Sequence, residues 1–125
     1  MNFPDLDDLY SELRRRRWDI HLFGRDDDRL TAMAAVKWWD EHADVLILRG
    51  EHEAAAYRVH QREDVFQPRW VSWWYGGTAM HALRAVLTIV SPGRAGPMQE
   101  FAAPEFAYIP TDERKPCRIR MANGQ

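Results

Sequence analysis

The segment LTAMAAVKWWDEHADVLILRG, residues 30–50, decides between two folds for this chain. In its first half, four apolar residues fit the stripe of a helix: Leu30, Met33, Ala34 and Trp38. Apolar residues at every second position from Leu30 to Trp38 fit one face of a strand equally well. A helix would produce a parallel βαβ unit, and two strands would produce an antiparallel meander. The second half, DVLILRG, is rich in branched apolar residues and favours a strand. We therefore predict the meander and keep the βαβ unit as the alternative.

The sequence on both sides of this segment extends the meander. Before it, RWDIHLFG (17–24) alternates apolar side chains between two faces and stops at a glycine, which predicts a strand. After it, RGEHE is a short polar connection that closes a hairpin onto AAAYRVH (54–60). Because alanine and glutamate are strong helix formers, a helix over residues 53–62 stays open as the other interpretation.

The stretch RWVSWWYGGT, residues 69–78, carries three of the chain's six tryptophans. Because aromatic rings occur at both odd and even positions, the stretch predicts a central strand that is covered on both faces. Alternation divides its side chains into two sets, with Trp70, Ser72 and Trp74 on one face and Val71, Trp73 and Tyr75 on the other.

The residues that follow predict the end of this strand and the start of a helix. Gly76 and Gly77 are expected to break the strand, and Thr78 is expected to cap the helix. An apolar stripe on the helix would cover the sheet. The stripe consists of Ala79, Ala82, Leu83, Val86, Leu87 and Val90.

The two ends of the chain complete an α+β fold. Asp5 is expected to cap an N-terminal helix that ends in the arginine run Arg14–Arg17. Five prolines between Ser91 and Pro116 predict an extended tail, and CRIRM (117–121) is predicted to form an edge strand. We predict one α+β domain with an antiparallel sheet of four to five strands packed by one main helix. Its parts are the N-terminal helix and basic run (1–17), the sheet and covering helix (18–90) and the wrapping tail (91–125).

Composition and charge exclude several classes of protein. The 125 residues are 46% hydrophobic and carry a formal net charge of -2, so no domain-wide positive field attracts nucleic acid or a membrane surface. The single cysteine, Cys117, excludes an intrachain disulfide and indicates a reducing compartment. The start of the chain has no apolar signal region, and residues 79–90 are too few to span a bilayer. We expect a cytoplasmic protein without membrane association and without a cofactor.

Five strings in the middle two-thirds of the chain carry a resemblance: ADVLILRG, AAAYRV, DVFQP, VSWWY and LRAVLT. They resemble small uncharacterised proteins of streptomycete-type actinomycetes. Because the strings are apolar and structural, the resemblance implies an actinomycete origin and a sheet followed by a helix. It implies no activity.

The aromatic strand supplies the first candidate site. Aromatic rings give a large contact area at low entropic cost, so these rings indicate a binding surface, and packing in the core is the competing interpretation. A small-molecule pocket between this strand and the next helix would use Arg58, Arg69 or His81 as polar groups. The candidate binding residues are Arg58, Arg69, Trp70, Trp73, Trp74 and Tyr75.

Two other patterns indicate anion binding. The turn formed by Gly76, Gly77 and Thr78 exposes backbone N–H groups at the start of a helix, although a plain strand-to-helix turn explains the glycines better. The arginine run, followed by a tryptophan, suggests contact with a nucleic-acid backbone, although a solvated helix end explains it better. The residues of this second pattern are Arg14, Arg15, Arg16, Arg17 and Trp18.

The histidines and nucleophilic side chains form no recognisable catalytic or metal motif. Glu51, His52 and Glu53 are placed to meet Glu41 and His42 at two hairpin ends, but their spacing matches no known metal site. We interpret them as polar loop residues. Cys117, which has a lysine and an arginine nearby, is the most reactive candidate thiol, although an ordinary free cysteine is favoured. We assign no catalytic residue and no metal ligand.

The sequence therefore predicts a binding protein more strongly than an enzyme. The first hypothesis is a small interaction or regulatory module that docks on a protein partner or self-associates through the aromatic strand. The alternative is a small-molecule binding protein or small enzyme with a pocket between that strand and the helix. Binding to a phosphate backbone through Arg14–Arg17 is the third hypothesis.

Overall fold

Residues 30–50 form two antiparallel strands, so the predicted meander is confirmed. The computed structural model describes residues 6–24 and 30–116. Strand β2 (Leu30–Trp38) pairs with β1 (Asp19–Gly24) on one side and with β3 (His42–Gly50) on the other. Strand β4 (Glu53–His60) pairs with β3, so this segment is a strand and not a helix.

The other elements complete an α+β fold. They are α1 (Leu6–Arg15), β5 (Trp70–Val71), β6 (Trp73–Gly77), α2 (Ala79–Thr88), β7 (Phe101–Ala102) and β8 (Lys115–Pro116). Within the described ranges, the main sheet is antiparallel with the order β6-β4-β3-β2-β1-β8, and β5 and β7 form a separate ribbon. The predicted antiparallel sheet is confirmed, with five strands of five residues or more, and the two-residue β8 adds a sixth. The strand predicted at 117–121 lies outside the described residues. No described helix is long and apolar enough to cross a membrane.

The main sheet buries side chains on both of its faces. We name the helix face after α2, which packs on it, and the tail face after the chain segments that cover the other side. This double burial explains why residues 32–36 are all buried and why their periodicity fits two structures. The buried helix-face cluster contains Leu13, Trp18, Met33, Ala35, Leu46, Leu48, Ala54, Ala56, Ala82 and Val86. The tail-face cluster contains Phe23, Ala34, Val36, Ala43, Val45, Ile47, Ala55, Tyr57, Val59, Phe66, Val71, Ala107 and Ile109.

Helix α1 ends in a Schellman motif formed by the arginine run. The Arg17 amide donates to the Arg14 carbonyl and the Trp18 amide donates to the Leu13 carbonyl, each over 2.9 Å. Arg17 adopts the left-handed conformation, with φ of 66°. Leu13 and Trp18 join the same buried cluster, so this turn fixes the direction in which the chain enters β1.

The aromatic stretch is an edge strand with a bend, and the prediction of one central strand is wrong. β6 is the last strand of the main sheet, and Ser72 separates it from β5. Val71 lies in the tail-face cluster, whereas Trp73 and Tyr75 pack against the helix-face cluster. The predicted grouping of these three side chains is therefore wrong, because the chain bends where β5 leaves the sheet to pair with β7.

Helix α2 begins as predicted but ends sooner. The Thr78 hydroxyl accepts a hydrogen bond from the His81 amide over 3.2 Å, which caps the helix. Leu83 and Leu87 pack against the helix-face cluster. Val90 lies beyond the last helical residue and is 55% exposed, so the predicted apolar stripe is wrong at that position.

Candidate functional site

The outer edge of the sheet presents two aromatic rings side by side. Trp74 is 47% exposed and Phe106 is 41% exposed. Their ring centroids lie 5.6 Å apart at an interplanar angle of 62°, which is an edge-to-face contact. We call β6 together with Phe106 the aromatic edge. In the described part of the chain, no strand pairs with the outer side of β6.

The two glycines continue the strand, so the prediction that they break it is wrong. Gly76 and Gly77 belong to β6 and pair with two alanines of β4. A Cβ built on Gly76 would lie 2.4 Å from Cζ of Phe106, and one built on Gly77 would lie 2.6 Å from the hydroxyl oxygen of Tyr75. Each glycine therefore leaves room for an aromatic ring to lie directly on the backbone, and this is the structural reason for the pair.

The rings of β6 are divided between the two faces of the sheet. Trp73 and Tyr75 are half-buried against the helix-face cluster. Trp74 points to the opposite face, where it contacts Phe106. One set of rings therefore supports the fold while the other remains accessible. Trp70, which is 45% exposed, lies on the separate β5–β7 ribbon and not on the aromatic edge.

A shallow depression of about 210 Å³ adjoins the aromatic edge on the tail face. Phe106 and Tyr108 line it together with Arg49 and Glu53. The Arg49 guanidinium is held by Glu113 over 3.0 Å and also donates to the Tyr108 carbonyl over 3.3 Å. These bonds fix the tail against the sheet, so the rings of the aromatic edge stand on an ordered surface.

Arg58, predicted as a ligand-binding group, is an internal residue. Its guanidinium makes two hydrogen bonds with the Asp44 carboxylate, over 2.6 and 2.9 Å, and both residues are buried. The Trp39 indole donates to the same carboxylate over 3.0 Å. Asp44 and Arg58 lie opposite each other in the β3–β4 hairpin, so the register of the hairpin would have identified Asp44 as the partner of Arg58.

A second concavity lies at the end of the sheet where β3 begins and β4 ends. It is an open cleft of about 900 Å³. His42 and His60 line it as direct cross-strand partners, with ring centroids 5.2 Å apart. No sequence motif marks this pair, but the register of the β3–β4 hairpin brings the two histidines together. Trp39, Arg62 and Ser72 also line the cleft.

The two imidazoles of the cleft differ in chemistry. Nδ1 of His60 accepts a hydrogen bond from the Arg62 amide over 3.1 Å, so the neutral ring carries its proton on Nε2. Burial lowers the pKa of His42, and the neighbouring His60 and Arg58 lower it further, against the opposing charges of nearby carboxylates. At neutral pH the cleft therefore presents an N–H donor beside a neutral imidazole.

The proposed convergence of the two hairpin ends is wrong. His42 begins β3 and the Glu51–His52 turn follows its end, so the full length of the strand separates the two acidic clusters. Among the described residues, no group of three or more histidine, cysteine, aspartate or glutamate side chains is placed to hold a metal ion. Cys117 lies outside the described residues.

The predicted anion-binding groups are engaged within the chain. At the turn before α2, the Ala79 amide donates to the Glu51 carbonyl over 2.8 Å, and the Thr78 hydroxyl serves as the helix cap. In the arginine run, Arg15 and Arg16 both bind Glu12, whose pKa these hydrogen bonds lower.

Two other side chains of the candidate nucleic-acid site are also engaged. The Arg14 guanidinium lies 5.6 Å from the ring centroid of Tyr10. Trp18 is only 6% exposed and packs in the helix-face cluster, so its ring is not presented for base stacking. Arg69, predicted as a binding residue of the aromatic stretch, is exposed, and its backbone amide donates to the Glu63 carboxylate over 2.7 Å.

Comparison with protein-family models, with curated proteins and with solved structures finds no match to this chain.

Proposed function

We propose that the protein is a small cytoplasmic interaction or regulatory module that docks through its aromatic edge. The observation that carries this proposal is the exposed pair Trp74 and Phe106 beside the outer edge of β6, with which no described strand pairs. Tryptophan is enriched among residues that dominate binding energy, and ring pairs supply contact area with little loss of entropy.

The chemistry of the two sheet edges supports the proposal. Soluble proteins usually protect an edge strand with charged side chains, proline or very short length. At the other end of the described sheet, β8 has all three features, since it consists of only two residues, Lys115 and Pro116. β6 has five residues, none of them charged and none of them proline. An unprotected edge bearing an exposed tryptophan has the character of a docking surface.

Capture by immobilised protein tests this proposal. We expect the wild type to retain a specific protein from cells that express the chain, and Trp74→Ala to weaken that retention by about 2 kcal/mol or more. Trp38→Ala is the matched control, because Trp38 is 51% exposed but lies at the end of β2. Equal retention by the wild type and Trp74→Ala would contradict the assignment.

The cleft favours a second candidate function, the binding of a small polar molecule. His42 and His60 converge there with Ser72, beside the indole of Trp39. This location differs from the pocket expected between β6 and α2, where Trp73 is packed against the core. Intact-mass analysis of protein purified under native conditions tests it. If the wild type retains a small molecule that His60→Ala loses, the result supports this function. If the wild type and His60→Ala retain the same ligand equally, the cleft is not its binding site.

Phosphate-backbone binding through Arg14–Arg17 is the third candidate, and it has the least support. Arg15 and Arg16 already bind Glu12 in α1. Replacing all four arginines by glutamine tests it, because a steeply salt-dependent affinity for DNA or RNA that disappears in this variant would raise its rank.

A further inference from the structure

We propose that the partner at the aromatic edge is a second copy of this chain, which pairs its own β6 antiparallel to the first across a two-fold axis. This inference rests on the proposed docking function and names its partner. Pairing of the two β6 strands would extend the sheet continuously through both copies, because antiparallel pairing satisfies the outward backbone groups of two identical edges at once.

Charge favours an identical partner. In a two-fold contact, each residue near the axis faces its own copy, so a charged side chain there would meet a like charge. The five residues of β6 carry no charge, and Tyr75 at the centre can face Tyr75 of the second copy without electrostatic repulsion. A charged partner would find no complementary charge on this strand.

The arrangement of large and small residues also fits antiparallel pairing about Tyr75. In that register, Trp73 lies opposite Gly77 of the second copy, and Trp74 lies opposite Gly76. Large rings therefore face glycines. Within each chain Phe106 already covers Gly76 and Tyr75 already covers Gly77, so a ring from the second copy would pack against these rings and not on the glycine backbone. Trp74 would extend the existing Trp74–Phe106 contact across the interface.

The available area sets the strength of this association. With Trp74 47% exposed and Phe106 41% exposed, each ring has on the order of 100 Å² left to bury. Two copies of both rings give roughly 400 Å², to which the paired backbones add, against about 1,200 Å² for a small stable interface. The dimer is therefore expected to be weak and reversible, with a population that depends on protein concentration.

Sedimentation velocity over a concentration series tests the pairing. Between about 1 and 500 μM the wild type should pass from monomer to dimer. Trp74→Lys places a charge on the edge and should remain a folded monomer throughout, with a melting transition lowered only by the loss of the Trp74–Phe106 contact. Trp38→Lys adds the same charge at the end of β2 and should dimerise like the wild type. A wild type that stays monomeric, or a Trp74→Lys variant that dimerises equally, overturns the inference.

Amide hydrogen exchange identifies the paired strand. At high protein concentration, amides within 73–77 should gain protection, while those of α1 should exchange at the same rate at both concentrations. A dimer without added protection in 73–77 would overturn the strand pairing. If the wild type is monomeric but a different protein is captured through Trp74, the identity of the partner is wrong and the docking function stands. If neither occurs, both are wrong.

Discussion

Replacing Gly76 by alanine tests why the aromatic strand contains glycines. A Cβ at this position would lie 2.4, 2.7 and 2.9 Å from Cζ, Cε2 and Cε1 of Phe106. These separations are too short for non-bonded carbons. Since the Gly76 backbone is paired with Ala55 in the sheet, we expect the Phe106 ring to move and the strand to stay.

The magnitude follows from three opposing contributions. A compatible glycine-to-alanine change stabilises a protein by about 0.4–1 kcal/mol through the unfolded state. Overpacking costs about 1–3 kcal/mol, and loss of the Trp74–Phe106 contact costs about 0.5–1.5 kcal/mol. Because Phe106 is partly exposed, its ring can turn toward solvent, so we expect the overpacking cost to lie at the lower end of its range. We expect Gly76→Ala to lower the free energy of unfolding by about 1 kcal/mol.

Equilibrium urea unfolding of a double-mutant cycle measures this effect. In the Phe106→Ala background the new methyl group meets no ring, so Gly76→Ala should become neutral or stabilising by up to about 1 kcal/mol. Gly50→Ala is the matched control, because a Cβ there has no atom within 4 Å, and it should cause no loss of stability. If Gly76→Ala costs the same with and without the Phe106 ring, the proposed role of the glycine is refuted.

Three further expectations concern the turn after α1, the buried ion pair and the cleft. Arg17→Gly should raise the free energy of unfolding by about 0.5–1 kcal/mol, since Arg17 has φ of 66° and glycine adopts this conformation without steric cost; a loss in urea unfolding would contradict the Schellman end. Asp44→Ala should lower it by about 3–5 kcal/mol because it leaves the Arg58 charge buried and unpaired, and a loss below about 1 kcal/mol would contradict that burial. The fold lowers the pKa of His42 below its ordinary value of 6.5, so the unfolded state binds a proton at a higher pH than the folded state does. The urea midpoint should therefore fall as the pH drops below 6.5 and through the folded pKa, and His42→Gln should reduce this fall.

The strand pattern of the sheet centre could be predicted from the sequence. Branched residues in DVLILRG and the short polar turn after it indicated a hairpin, and the β3–β4 pairing confirms it. Its register also determines that Asp44 faces Arg58 and that His42 faces His60, so both pairs were accessible to sequence reasoning. The ambiguity at residues 30–38 arose because small apolar side chains are buried on both faces of β2.

The position of the aromatic stretch could not be predicted, because distant segments determine it. β5 pairs with β7 outside the main sheet, and the chain therefore bends at Ser72. Phe106 packs on Gly76, and no local sequence pattern around either residue predicts this contact. Local patterns therefore identified a strand with rings on both faces, while its edge position and the reason for its glycines depended on the tail.

We propose that, within β6, Trp73 stabilises the fold and Trp74 contacts a partner. A side-by-side measurement of thermal unfolding and sedimentation for Trp73→Ala and Trp74→Ala tests this most directly. Trp73→Ala should lose about 3 kcal/mol of stability, because its ring packs against the helix-face cluster. Trp74→Ala should lose only about 0.5–1.5 kcal/mol of stability, from its contact with Phe106, and about 2 kcal/mol or more of association. Equal losses of stability in both variants, with association unchanged in both, would show that all these rings serve the core and would contradict the claim.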